Sequence, residues 1–186
     1  MNFIWIYISA MIPYMLLVLP FFLIGRAVML FYLHKKGRKT RILHELGLLA
    51  FALFLTGLLS QTISPTFGFK PEIQGSVSLI PFQGIIDITS DGVSEFSLVN
   101  VLGNICMFVP IGFFIPLLWR QRGWKVVLYG FCLSAFIEFC QLFLIRATDI
   151  DDLILNTLGT AAGLFIYSLF SVIVRGGIRL FRLQDK

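Results

Sequence analysis

Eight polar residues fall near the same end of three long apolar segments: Asn100, Asn104, Glu138, Gln141, Arg146, Asp149, Asp152 and Asn156. A charge at mid-bilayer costs roughly 2.5–3.5 kcal/mol on insertion scales. Amides and carboxylates that gather at one depth against that cost read as a site. Asn100 and Asn104 are four residues apart and share a helix face, with Gly103 beside them. Their carboxamides can donate and accept hydrogen bonds. Glu138 and Gln141 lie about one turn apart, with Ser134 one turn earlier on the same face. Glu138 falls seven residues before the expected end of its segment, roughly 10 Å deep at 1.5 Å per residue. A carboxylate there needs a cation or several donors, and Arg146 is a candidate partner.

The run Thr148-Asp149-Ile150-Asp151-Asp152 opens the last apolar segment. Thr148 or Asp149 fits an N-cap, and acids in the first turn oppose the helix dipole. Capping alone does not account for three acids. Nor does it account for Asn156, Gly159 and Gly163, which share a face with Asp149 and Asp152 within about 80°. The glycines let another helix approach closely. Asp151 points elsewhere and is expected to be solvated. The competing reading is structural: asparagines as interhelical glue, Pro110, Gly112 and Pro116 as a bend, and the acids as caps.

These residues need membrane helices to position them. Of 186 residues, 58% are hydrophobic and 13% charged, against about 25% charged in soluble domains. The fold class is all-α, a polytopic transmembrane helical bundle of five spans. The expected spans are Phe3–Leu33, Leu46–Ile63, Leu98–Trp119, Trp124–Ile145 and Leu153–Val174. Pro13 and Pro20 are expected to kink the first, and Arg26 to snorkel from it. The first apolar stretch lacks a basic leader and a small-residue cleavage site, so it reads as a retained span.

The loops alternate in charge. The first loop (Lys35, Lys36, Arg38, Lys39, Arg41), the third (Arg120, Arg122, Lys125) and the tail (Arg175, Arg179, Arg182, Lys186) hold twelve cations. The other side holds two, Lys70 and Arg146, among Glu72, Asp87, Asp91, Glu95, Asp149, Asp151 and Asp152. The positive-inside rule therefore places the N-terminus outside and the C-terminus in the cytoplasm, with the eight polar residues facing outward. Trp5, Trp119 and Trp124 fit interfacial anchors. The net charge of +5 reflects topology and not nucleic-acid binding. Three domain pieces follow: an N-terminal helix and basic loop over 1–45, a four-helix membrane domain over 46–174 with an extracytoplasmic loop 64–97, and a basic tail 175–186. Within that loop, 76–88 is apolar enough to pack on the membrane surface or re-enter the bundle. Cys106, Cys132 and Cys140 read as buried packing residues. His34 and His44 sit at the first loop and read as solvated.

The motifs resemble those of the VanZ-like family. Asn100-Val-Leu-Gly-Asn104 followed by Phe108-Val-Pro110-Ile-Gly112 looks like its third-helix motif, and Glu138-Phe-Cys-Gln141 like its E-x-x-Q. Arg146-Ala-Thr-Asp149-Ile-Asp151-Asp152, with Asn156 and Gly159, is similar to its R-x-x-D-x-D-D-x-x-x-N-x-x-G run. Ser78-Leu-Ile-Pro81-Phe82 resembles a loop motif that usually begins with asparagine, so a contact made by that carboxamide does not carry over. The resemblance spans about Leu46 to Val174. It implies a bacterial cell-membrane protein. Through the family's naming member it also implies low-level resistance to teicoplanin, a lipoglycopeptide that binds cell-wall precursors. It implies no reaction.

Three functional classes follow from the residues. In the first, the outward site binds an envelope lipid headgroup or an amphiphilic glycopeptide. Asp149 and Asp152 would attract a cation, and Arg146 a phosphate or carboxylate. In the second, Glu138 is a general acid or base of an intramembrane enzyme acting on an envelope lipid, with two acids and an amide available for Mg²⁺ or Ca²⁺. No HExxH, CxxC, P-loop or Ser-His-Asp set accompanies it, so catalytic residues, metal and cofactor stay open. In the third, a transporter, five spans would require a homo-oligomer.

Overall fold

The computed structural model describes residues 3–63, 77–78, 80–82, 95–144, 148–174 and 177–182. Its helices are α1 (Phe3–Lys35), α2 (Ile42–Thr62), α3 (Glu95–Leu118), α4 (Gly123–Gln141) and α5 (Ile150–Ile173). A 3-10 turn follows at Gly177–Phe181. Two residue pairs form a short parallel bridge, β1 (Val77–Ser78) with β2 (Thr148–Asp149). Five helices are long and apolar enough to cross a membrane. The chain is thus a multi-pass, all-α membrane protein embedded in a lipid bilayer. Its helix faces carry exposed apolar side chains such as Leu16, Phe21, Phe139, Phe165 and Ile173, which lipid covers.

The chain forms two compact units. The first comprises residues 1–64, 117–120 and 171–186. In it, α1 ends on a glycine cap. Gly37 takes φ 67°, its N–H donates to His34 O at 2.9 Å, and the Arg38 N–H donates to Leu33 O at 2.9 Å. That pairing closes a helix that would otherwise leave its last carbonyls open. It returns the chain through the basic loop into α2. Gly57 on α2 leaves room for Met11 and Met15 of α1: a Cβ there would meet Met15 Cε at 2.8 Å.

Arg26 does not snorkel. Its Nε donates to Glu45 Oε2 at 2.8 Å and its Nη2 to Glu45 Oε1 at 2.6 Å. A forked pair with a carboxylate on the neighbouring helix satisfies the guanidinium without reaching for water. His44 is not solvated either. It is 1% exposed, and its Nδ1 lies 2.7 Å from Phe181 O. The helix α1 continues through Pro13 and Pro20.

The second unit comprises residues 65–116 and 121–170. Here α3 and α5 touch backbone to backbone. A Cβ on Gly159 would run into Ile105 O, one on Gly163 into Val109 O, and one on Gly112 into Thr160 O. Gly130 does the same for α4, meeting the Thr160 side chain. In a bilayer, where lipid tails are as apolar as leucine, such close approach supplies dispersion contacts that burial of oil against oil cannot. Pro110 and Pro116 lie inside a continuous α3. Cys106 and Cys132 are exposed and Cys140 is intermediate, contrary to a buried reading. A bilayer is as good a surrounding for a small apolar thiol as a protein core.

Candidate functional site

The polar cluster belongs to the second unit and is built from α3, α4, the start of α5 and the segment 77–82. Two helix ends create it. α4 stops at Gln141, and the chain tightens through Phe143 N–H to Cys140 O (3.1 Å) and Leu144 N–H to Gln141 O (3.0 Å). Glu138 therefore sits in the last turn, three residues from the helix end, and is shallower within the helix than its sequence position predicts. α5 starts at Ile150 with Asp149 as its N-cap: Asp149 Oδ1 accepts the Asp151 N–H at 3.0 Å. This is the N-cap geometry in which a carboxylate satisfies an N2 donor.

Side chains from three helices meet there. Asn104 Nδ2 of α3 donates to Asp152 Oδ1 of α5. Glu138 Oε2 of α4 accepts the Asp149 backbone N–H at 3.3 Å. Asn156 Nδ2 of α5 donates to Ser134 Oγ of α4 at 2.9 Å. The order Ser134–Glu138 on α4 against Asn156–Asp149 on α5 is what antiparallel helices in register give. Glu138 is 8% exposed and Gln141 is also buried. Thr160 Oγ1 donates to Asn156 O at 3.0 Å, one turn further along α5.

Asp151 is 5% exposed, not solvated. Its Oδ1 accepts the Phe82 N–H at 2.5 Å, and Phe82 holds a φ of 66°. The neighbouring backbone pairs Val77 with Thr148 and Ser78 with Asp149. The Ser78–Phe82 motif is thus bound to the start of α5. The Ser78–Asp149 pairing runs through the backbone. Ile80 and Phe82 remain exposed. Most of the apolar stretch 76–88 lies outside the described residues, as does Arg146. Asn100 is exposed.

Among the described residues, two buried side-chain oxygens have no hydrogen-bond partner, Asn156 Oδ1 and Thr148 Oγ1. Asn156 is 4% exposed. Buried polar atoms are paired in the great majority of cases, so such an oxygen calls for a donor beyond the described residues. Among the described residues, no three His, Cys, Asp or Glu side chains are grouped to hold a metal ion. The acids are instead taken up by amides and backbone N–H groups. The arrangement can therefore accept and donate hydrogen bonds to a polar group at the end of three apolar helices.

Comparison with known families fits this arrangement. The VanZ/LLP1 family model matches residues 46–171. The chain belongs to the VanZ/LLP1 family. No curated relative and no solved structure matches it. The matched segment of this VanZ/LLP1 protein begins at α2 and takes in the whole cluster. α1, the first basic loop and the 3-10 turn fall outside it. The residues that sequence reasoning missed are Asp151, Thr148 and the Phe82 N–H. Asp151 and Thr148 stood in the acid-rich run. The Phe82 contact has no sequence signal, because its donor is backbone.

Proposed function

We propose that the polar end of α3, α4 and α5 binds the headgroup of an envelope amphiphile. The amphiphile is a lipid, or a lipoglycopeptide of the teicoplanin type reached from the outer face of a bacterial cell membrane. Residues 46–174 would be the working domain, with 64–97 as its extracytoplasmic loop. Residues 1–45 and 175–186 would be accessory. Asn104, Glu138, Gln141, Asp149, Asp152 and Asn156 would line or support the binding groups, with Asn100 and Arg146 at the rim.

One observation carries this reading. Asn156 uses one end of its carboxamide on Ser134 and leaves the other unpaired, although it is almost wholly buried within a membrane helix. An unsatisfied polar group in hydrocarbon costs several kcal/mol, so a donor that completes Asn156 Oδ1 would stabilise the cluster. A ligand hydroxyl or amine, or the water it displaces, completes it. The four acids and amides around it hold one another in place, which preorganises the group that binds.

The test is a binding and susceptibility panel, matched for membrane expression, on wild type, Glu138→Gln, Asp149→Asn and Asn156→Leu. The probes are teicoplanin, the less lipophilic vancomycin and a set of envelope lipids. Loss of one specific binding or protection in all three variants is the expected result. Variants that insert and behave as wild type toward every probe would reduce the cluster to packing and capping.

A further inference from the structure

A second site of different character lies in the first unit, outside the family-matched segment. Lys35 ends α1, Lys36, Arg38 and Lys39 follow it on the loop, all four are exposed, and Arg41 precedes α2. Arg179 and Arg182 lie on and just after the 3-10 turn. No acidic residue occurs between Ala27 and His44 or between Ser171 and Gln184. Topology alone accounts for cations in each segment separately. It does not account for their being fastened together.

The fastening is specific. Arg41 Nη1 donates to Arg179 O at 3.1 Å. The His44 ring nitrogen is 2.7 Å from Phe181 O, and Ile178 is buried beside them. The Phe181 ring lies close to Gly47: a Cβ there would meet its Cδ1 at 3.8 Å. Each of these contacts brings cation-bearing backbone against cation-bearing backbone, and like charges held so close repel. At the end of α1 and just beyond it, Lys35 stands 5.0 Å from the Phe31 ring centroid and Lys36 4.5 Å from that of Tyr32. Both rings are exposed, so the ammonium groups are held at the edge of the apolar belt. That is the level of lipid phosphates.

We infer that the first loop and the C-terminal turn form one binding surface for anionic phospholipid headgroups, assembled by the His44–Phe181 and Arg41–Arg179 contacts. The phosphodiesters neutralise the gathered cations and make the fastening favourable. Cations held together near the membrane surface attract such headgroups, and the attraction is screened by salt.

The experiment uses the full chain in nanodiscs of equal phosphatidylglycerol and phosphatidylcholine, with retained lipids counted by native mass spectrometry. Four variants accompany wild type: Lys35→Gln with Lys36→Gln, Arg179→Gln with Arg182→Gln, all four together, and His44→Phe. Wild type is expected to retain phosphatidylglycerol severalfold over phosphatidylcholine. Each charge pair should remove most of that preference, and the four together little more than either pair. His44→Phe leaves every lysine and arginine in place, yet should lower the preference comparably by freeing the turn. Four outcomes overturn the proposal. The first is no preference in wild type. The second is a loss that simply scales with the charges removed. The third is a folded His44→Phe with wild-type preference. The fourth is displacement of the lipid by millimolar inorganic phosphate, which would make free phosphate the ligand. If His44→Phe does not fold, the charge cycle decides alone, because Lys35, Lys36 and Arg179 are exposed and Arg182 is half-buried.

Discussion

At the scale of single residues, the ion pair Arg26–Glu45 is the clearest case of a membrane charge explained by its partner. Nine residues from the end of α1, Arg26 lies roughly 14 Å along the helix from it. Glu45→Gln should destabilise the protein on the order of 2–3 kcal/mol, because the guanidinium loses its counter-charge in an apolar setting. Replacing both by Leu should recover most of that, since an apolar pair of similar size removes the desolvation cost altogether. Thermal unfolding in detergent across the single and double variants measures it. A double variant as unstable as the sum of the singles would deny the coupling. Sequence pattern revealed that Arg26 needed a solution but not which one, since its partner is 19 residues away across a turn. The same holds for Asn104 and Asp152. Their types and depth were legible, whereas Asp151 was misjudged because its acceptor oxygen meets a backbone N–H 69 residues distant.

At the scale of elements, the small-residue spacing on α5 was readable, and the structure gives each glycine a neighbour. Gly159 and Gly163 meet α3 carbonyls, and Gly112 of α3 meets Thr160 O. Gly112→Ala or Gly163→Ala must push backbone against backbone, which no rotamer change relieves. Each is expected to lower the melting temperature clearly and to weaken any ligand binding at the cluster, because the same helices carry Asn104, Asp152 and Asn156. Gly103→Ala is the matched control on α3. Nothing lies within 4 Å of a Cβ there, so its stability should be unchanged or slightly raised by better helix propensity. A melting temperature equally low in Gly103→Ala would mean that helix flexibility, not close approach, is what these glycines supply. Helix ends were less legible. α4 closes at Gln141 although apolar residues continue to Ile145, because hydropathy reports depth and not where the hydrogen-bond ladder tightens. The two-residue bridge β1–β2 is too short to leave a periodic signal.

At the scale of the whole molecule, charge asymmetry is the argument for orientation. Alternation of five spans assigns twelve loop and tail cations to one side and two to the other. By the positive-inside rule, that bias predicts a cytoplasmic C-terminus and an outward polar cluster. It also assigns α1 a limited part. The four helices within the family-matched segment are flanked by the first basic loop and the basic tail, so they need no further span to orient them. α1 then sets only where the N-terminus lies. A green fluorescent protein fused after Lys186 should fluoresce, and alkaline phosphatase fused at residue 90 should be active. Both signals should persist when residues 1–40 are removed. An N-terminal epitope should be accessible from outside the cell in the full chain and lose that accessibility in the truncated one. An inactive phosphatase at residue 90 in the full chain would place the cluster on the cytoplasmic side and end its reading as an outward headgroup site. Reversal only on truncation would show that α1 drives insertion of the helices after it.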